Sequence, residues 1–491
     1  MRVLLVYPKF PDTFWSFKYA LRFTTKKSVF PPLGLLTVAA MLPEEWEKRL
    51  VDMNVRPLRD SDIKWADIVF LSAMSVQSHS AEDVIARCKQ AGVRVAAGGP
   101  LFTAFPDKFD TVDHLVLGEA EATLPPFLRD FTQNRVQHIY QTDEKPDLIT
   151  TPAPLWSLIR MKDYSSMNIQ YSRGCPFNCE FCDVVVLFGR KPRLKTAGQV
   201  TAELDALYTQ GWRGSVFFVD DNFIGNKEIL KASVLPAIIS WQEAHDRPFC
   251  FDTEASVNIA DDGELMRLMA TAGFEQVFVG IETPNEESLS ECGKHQNTGR
   301  DLLACIETIQ AHGMEVQGGF ILGFDSDPET IFDTLIRFIQ QSRIVVAMVG
   351  LLNAPRGTRL YRRMEKEHRL ISDFSGDNTD YSMNFTPKMA RDKLVSGYRK
   401  VVGSIYGPES YYRRVMRYLD TECEQPKKPV RVTPADIASF IKSIFRLGIA
   451  GEERRWFWRL VLHTLRHNPS QLPKAVTYAV YGHHFRKVYK V

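Results

Sequence analysis

The chain has 491 residues, 44% hydrophobic and 24% charged, a length for roughly two to four domains and apolar material for several cores. Its formal charge of +2 is too small to mark the whole chain as a nucleic-acid binder, and no nucleic acid is expected as a partner. The longest apolar runs fall short of the ~20 residues that span a bilayer, and a strand-like run at 2–7 leaves no room for a secretory leader, so a cytoplasmic, reducing setting is expected.

In chain order, β-rich runs at 3–7, 49–53, 68–72, 93–97 and 114–117 alternate with helical patterns around 33–42 and 81–90. Such alternation builds a parallel sheet covered by helices, here assigned to residues 1–131. The loop 72–79 and the turn Gly98-Gly99-Pro100 each follow a strand, at the carboxyl edge where open α/β sheets bind ligands. Residues 132–161 are polar, proline-containing and weakly periodic, which predicts a linker along the surface.

A second alternating series occupies 162–387. Six candidate strands, at 167–171, 215–219, 249–254, 276–281, 316–322 and 345–352, are separated by amphipathic segments such as 199–208, 262–272 and 299–312. Six β/α units fit an α/β barrel with its chemistry at the strands' C-terminal ends. From 388 to 491 the pattern is helical, aromatic and basic. Between Arg431 and Val491 there are eleven Lys and Arg against three acids, Asp436, Glu452 and Glu453. Helices of this kind can rest on an anionic membrane, or form a lid with buried aromatics and a solvated basic rim.

In a reducing compartment eight cysteines read as thiols or metal ligands rather than as a disulfide framework. Cys88, Cys250, Cys292, Cys305 and Cys423 are scattered and read as core residues. The remaining three form the array Arg173-Gly174-Cys175-Pro176-Phe177-Asn178-Cys179-Glu180-Phe181-Cys182, spaced C-x3-C-x2-C just after the first barrel strand. Three thiolates can hold three irons of a [4Fe–4S] cluster and leave the fourth open to a small molecule. A structural zinc would need a fourth ligand, and no Cys or His stands at a usual spacing.

This array, with an aromatic before its last cysteine, resembles the signature of the radical S-adenosylmethionine (SAM) superfamily. The resemblance continues through 218–223 with Asp220, Asp221 and Asn222, through Glu254 and Ser256, through Glu282, and through Gly318 and Gly319. It implies that these residues contact SAM while Cys175, Cys179 and Cys182 hold the cluster. A doubly wound domain ahead of the barrel is similar to the cobalamin-binding class of that superfamily. It implies cobalamin contacts at Ser72, Met74, Ser75, Gln77, Gly98, Gly99, Gly118 and Glu119. The D-x-H-x-x-G box that supplies an axial histidine in many cobalamin domains is absent, with Pro8-Lys9-Phe10-Pro11 in its place, so cobalamin is expected to bind without that ligand. His79 reads as a hydrogen-bonding residue rather than a cobalt ligand.

Beyond residue 353, Pro355-Arg356-Gly357-Thr358-Arg359-Leu360-Tyr361 and Tyr411-Tyr412-Arg413-Arg414-Val415 resemble a subgroup that includes the hopanoid C-2 methylase and C-methyltransferases acting on protein side chains. The resemblance implies an enzyme that abstracts hydrogen with a 5′-deoxyadenosyl radical and transfers a methyl group from methylcobalamin to an unactivated carbon of a protein side chain or lipid. Its partners would be that substrate, an electron donor such as ferredoxin or flavodoxin, and a membrane touched peripherally by the basic C-terminus. Two other readings stand beside it. One is radical SAM oxidation, cyclisation or rearrangement without methyl transfer; the other is a non-catalytic iron–sulfur relay or membrane-docking protein.

Overall fold

In a computed structural model that describes residues 1–421 and 434–491, the two alternating series form two parallel sheets. The first contains β1 (Arg2–Tyr7), β2 (Glu47–Asp52), β3 (Ile68–Ser72), β4 (Arg94–Gly98), β5 (His114–Val116) and β6 (Ile139–Tyr140), in the order β2-β1-β3-β4-β5-β6. Val3 to Val6 and Ile68 to Leu71 are buried on both faces. That is why these strands read as unbroken apolar runs rather than as alternation. Leu4, Val6, Val69, Leu71, Val95 and Ala97 pack against one helical layer, while Val3, Leu5, Ile68, Phe70 and Ala96 pack against the other.

β6 lies inside the segment expected to be a linker. Leu115 N donates to the His138 carbonyl at 2.7 Å and Leu117 N to the Tyr140 carbonyl at 2.9 Å, which extends the sheet by one strand. Two residues are too few to leave a periodic trace. Leu148 and Trp156 of the same segment are buried, so it is wedged against the body of the protein rather than laid over its surface.

The second sheet runs β14-β13-β12-β11-β10-β7, all parallel, with β7 (Met167–Ile169), β10 (Gly214–Phe218), β11 (Phe249–Ala255), β12 (Phe274–Glu282), β13 (Glu315–Leu322) and β14 (Ala347–Leu351). Its edge strands β7 and β14 do not pair with one another, so this is an open, six-stranded partial barrel. Between β7 and β10 a short antiparallel ribbon, β8 (Ser172–Arg173) with β9 (Arg193–Leu194), brackets the cysteine array. No sequence pattern announced that ribbon.

The C-terminal part is helical. Helices Arg391–Tyr406, Pro408–Leu419, Arg454–His467 and Leu472–Tyr489 bury Tyr398, Tyr406, Tyr411, Tyr412, Phe457, Tyr478, Phe485 and Tyr489. The last helix reaches the N-terminal domain. His484 Nε2 meets the Phe14 carbonyl at 2.9 Å, and the rings of Phe14 and Phe485 stack 4.3 Å apart. Among the described residues no helix is long and apolar enough to cross a membrane. Cys88 and Cys292 are core residues as expected, Cys250 and Cys305 are half-buried, and Cys423 lies outside the described residues.

Candidate functional site

The cysteine array leaves β8 through Gly174, whose φ of +95° suits a residue without a side chain. A Cβ there would lie 3.0 Å from the carbonyl oxygens of both Gly189 and Lys191, so glycine lets the returning ribbon close over the loop. Four further contacts pin the loop. Glu180 N donates to the Cys292 carbonyl at 2.7 Å, and Leu360 N donates to the Glu180 carbonyl at 3.0 Å. Arg359 donates to the Asn178 carbonyl at 2.6 Å, and the Arg363 guanidinium grips the Glu180 carboxylate at 2.9 and 3.0 Å. The segment Pro355 to Tyr361 thereby acquires a physical role. Thr358 caps helix Arg359–Lys366 by accepting from Tyr361 N, and that helix clamps the loop from outside the barrel.

On the other side Arg173 joins the loop to the N-terminal sheet. Its guanidinium donates to Glu119 Oε2 and to both oxygens of Glu121, each at 2.9 Å, and to Gln170 Oε1 at 2.8 Å. Arg193 of β9 donates to both oxygens of Glu119, at 2.8 and 2.9 Å. The side chains of Glu119 and Glu121 are only 2% and 4% exposed, so this is a buried network spanning the two domains. Burial opposes the charge on Glu121, but Arg173 outweighs it and holds the carboxyl below its ordinary value.

The three thiols are pushed up by burial, Cys182 most of all. Close by, Lys294 Nζ donates to Glu282 Oε1 at 2.6 Å, and Gln296 Nε2 approaches Cys179 Sγ at 3.8 Å. Burial would discharge Lys294, but Glu282 and the cysteines hold it protonated, above its ordinary value. Glu282 sits at φ +63°, an uncommon backbone region for a residue with a side chain. A Cβ on Gly280 would lie 2.5 Å from Glu282 Oε1 and 2.8 Å from Lys294 Nζ, so the pair occupies the space that glycine leaves. Lys294 escaped the sequence reading because nothing in its spacing from Glu282 marks a pair.

The other residues expected to meet SAM fall into two groups. Asp220 is buried and accepts from Tyr171 N at 3.1 Å and from Ser172 N, while Asp221 accepts from Gly174 N at 3.3 Å. Both therefore hold the backbone that enters the cysteine loop. Asn222 Oδ1 accepts from Ser256 N at 3.1 Å, tying the ends of β10 and β11 together. Glu254 faces the cavity described below, its carboxyl raised to about 8 by burial and then by the neighbouring Asp221 and Asp220. Burial likewise raises Asp220 to about 7 and Asp221 to about 6. At Gly318 and Gly319 the absent side chains make room for neighbouring rings: a Cβ on Gly318 would strike the Phe320 ring at 2.7 Å, and one on Gly319 the Phe278 ring at 2.7 Å.

A chamber of about 1430 Å³ separates the carboxyl edge of the first sheet from the mouth of the barrel. Ser72, Met74, Gly98, Gly99, Gly118 and Glu119 line its upper wall, and Arg173, Val219, Glu254 and Phe278 belong to its lower wall. Ser75 and Gln77 do not line it. Gln77 is buried, donating to the Pro8 carbonyl at 2.6 Å and accepting from Met74 N at 2.9 Å, so it shapes the loop from behind; Ser75 packs against Gly376. Gly99 has φ +92°, and a Cβ there would meet Ser72 Oγ at 2.5 Å. His79 points to solvent beside Glu82, away from the chamber. Thr477, Val480 and Tyr481 of the last helix, with Ser439 and Ser443, close the chamber's side. The thiols lie beyond its lining, where a smaller cavity of about 290 Å³ runs between Pro176–Asn178 and Gly293–Gln296.

The donor set fits the groups that such a fold carries. Among the described residues no three His, Cys, Asp or Glu converge on a single metal ion; an iron–sulfur cluster asks instead for one soft thiolate per iron, and Cys175, Cys179 and Cys182 share one pinned loop. The glycine-lined sheet edge and the chamber volume suit a large planar cofactor, with no histidine of the 72–79 loop turned inward. A doubly wound sheet thus faces a three-cysteine loop at the mouth of an open barrel across one chamber.

Family models for a B12 binding domain, the radical SAM superfamily and a domain of unknown function, DUF4070, match residues 21–128, 169–339 and 358–491. An uncharacterized methyltransferase of Synechocystis sp. is 41% identical, covering 99% of this chain and 91% of its own length. The hopanoid C-2 methylase of Rhodopseudomonas palustris is 36% identical over 94% of this chain and 89% of its own. The fold is shared with the cobalamin-dependent SAM radical enzyme OxsB (TM-score 0.64, 14% identity, 100% of this chain and 79% of that one). It is shared too with the methyltransferase TsrM from Kitasatospora setae (TM-score 0.61, 14% identity, 97% and 99%). The chain belongs to the cobalamin-dependent radical SAM methylases. It is an enzyme, a radical SAM C-methyltransferase, whose cofactors are a [4Fe–4S] cluster, SAM and cobalamin.

Proposed function

We propose that the enzyme methylates an unactivated carbon of a protein side chain or lipid held in the chamber between the first sheet and the barrel. The observation that carries this reading is the buried Arg173–Glu119–Glu121–Arg193 network, which ties the start of the cysteine loop at Arg173 to the sheet edge, where Arg173, Glu119 and Glu121 border the chamber. In this reading Cys175, Cys179 and Cys182 hold the cluster, and Glu254, Ser256 and Glu282 border the seat of SAM. Asp220, Asp221 and Asn222 act one step back, by positioning the loop and strand ends. Ser72, Met74, Gly98, Gly99 and Gly118 border cobalamin, Ser75 and Gln77 shape its loop, and Glu119 orients the wall. Gly318 and Gly319 serve the packing of Phe320 and Phe278.

When bound, the cluster and SAM supply a carbon-centred radical that removes hydrogen from the substrate, and cobalamin supplies the methyl group. An unactivated C–H bond has no acidic proton for a base to take, so the protein's part is position and exclusion of water. Tyr481, Val480 and Thr477 shield the chamber, and Lys294 holds the Glu282 carboxylate in place beside the cysteines. A low-potential donor such as ferredoxin or flavodoxin would deliver the electron.

The test uses the reconstituted full-length protein and SAM bearing a deuterated methyl group, with products sought among lipids and proteins of a deletion strain. Three deuteria should appear in the product, with one S-adenosylhomocysteine and one 5′-deoxyadenosine per methylation. SAM cleavage with an unlabelled, oxidised or rearranged product would overturn methyl transfer.

A further inference from the structure

We propose that the helical segment from Ile437 to Leu465 is a docking surface for a bilayer carrying anionic lipids. Ile437, Ile441, Phe445 and Ile449 recur every fourth residue along helix Pro434–Ser443 and the π-helical turns Ile444–Ile449 that continue it, and they are 52% to 63% exposed. On the next helix, Trp458, Leu462 and Leu465 repeat the pattern at 39% to 63% exposure. Trp458 Nε1 donates to the Gly448 carbonyl at 2.9 Å, which brings the two rows together beside Ile449. Large apolar side chains left 39% to 63% in water at helical spacing keep much apolar area uncovered by the protein itself, and single exposed apolar residues would not fall in rows.

The surroundings say what covers them. Arg446, Arg454, Arg455, Arg459 and Arg466 are exposed around the rows; of the two acids in the segment, Glu452 is exposed and Glu453 is buried against Arg486 at 2.9 Å. Long apolar side chains set among solvated guanidinium groups, with an indole at the margin, match the headgroup and upper acyl layers of an anionic membrane. The rows stand on ridges of helices rather than in a groove, which favours a planar, deformable partner over a folded protein. Position along the helix adds a consequence. Ser439 and Ser443 line the chamber, and a step of two residues, roughly 200° of helical turn, separates them from Ile437 and Ile441. One face of this helix is chamber wall and the opposite face is the apolar row, so docking sets the chamber wall against the bilayer.

The surface needs none of the cofactors, so its test stands apart from that of the methylation. The purified full-length protein is floated with vesicles of equal parts phosphatidylcholine and phosphatidylglycerol, and with phosphatidylcholine alone. It should bind the anionic vesicles preferentially and lose binding as salt is raised. The double variant Ile441→Glu/Phe445→Glu should lower the partition coefficient by on the order of a hundredfold, and Arg455→Glu/Arg459→Glu should remove the preference for phosphatidylglycerol. Circular dichroism and SAM cleavage of the variants should match the parent, which separates lost docking from misfolding. Absence of binding by the parent, equal binding by Ile441→Glu/Phe445→Glu, or indifference to phosphatidylglycerol would overturn the proposal. So would a dimer seen by size exclusion that this variant dissolves while vesicles are ignored, since that assigns the rows to a second copy of the protein.

Discussion

Replacing Arg173 with Met tests whether one side chain couples the cysteine loop to the first sheet. The substitution preserves length and apolar stem but removes all four hydrogen bonds that the guanidinium makes to Glu119, Glu121 and Gln170. Glu119 keeps Arg193, whereas Glu121 retains Thr151 Oγ1 at 2.7 Å and a main-chain hydrogen bond but no cation. One buried carboxylate is thus left without a counter-charge, and breaking a buried pair from one side costs about 3–5 kcal/mol. Because Glu119 stays paired, the lower end, about 3 kcal/mol, is expected. Urea unfolding of the cofactor-free protein at neutral pH measures it, with iron per polypeptide after reconstitution as the second readout. The pH dependence has a definite sign. In the parent, Arg173 holds Glu121 below its ordinary 4.5, so the pair's stability is present above that value and fades as pH falls. In the variant burial, the largest influence on this group, is opposed only by the Thr151 and main-chain hydrogen bonds and raises it, so the deficit should shrink toward pH 4.5 as Glu121 takes up a proton. Adding Glu121→Gln to Arg173→Met should restore much of the loss, as coupled neighbours do. A deficit under about 1 kcal/mol, or one flat with pH, would refute the coupling.

Lys294→Met should leave Glu282 buried and unpaired, costing about 3–5 kcal/mol and lowering SAM cleavage while cobalamin binding, read from the visible spectrum, is unchanged; undiminished cleavage would remove Lys294 from the site. Gly99→Ala should weaken cobalamin roughly tenfold in titration, because φ is +92° and the new Cβ would meet Ser72 Oγ at 2.5 Å. His484 is lowered to about 4, chiefly by burial, so it folds neutral; stability is complete above its ordinary 6.5 and falls by up to about 3 kcal/mol as pH drops toward 4. His484→Gln should flatten that part of the pH–stability profile, and an unchanged profile would mean that His484 is protonated in the fold. Cys175→Ala, Cys179→Ala and Cys182→Ala should each abolish both cluster iron and 5′-deoxyadenosine formation, measured anaerobically.

Much of this architecture was legible in the sequence because it is written locally. Buried parallel strands need apolar runs, and those at 3–7, 68–72, 249–254 and 316–322 stand where the strands are found. The chemistry of three thiolates is contained in eight adjacent positions, and its place after the first barrel strand follows from the alternation alone. The resemblance that put Gly318 and Gly319 beside SAM did not foretell what their missing side chains leave room for, the rings of Phe320 and Phe278. The rest was decided by tertiary structure, for one physical reason. A buried charge must find its partner wherever the fold delivers one, and that partner carries no mark of spacing. Arg173 meets Glu121 across 52 residues, and Arg363 meets Glu180 across 183. β6 exists because β5 offers an open edge, and the last helix is held to the N-terminal domain because Phe485 finds Phe14. Sequence determined which cofactor chemistry the protein carries; only folding determined what holds the cysteine loop, what lines the chamber and which apolar side chains were left facing outward.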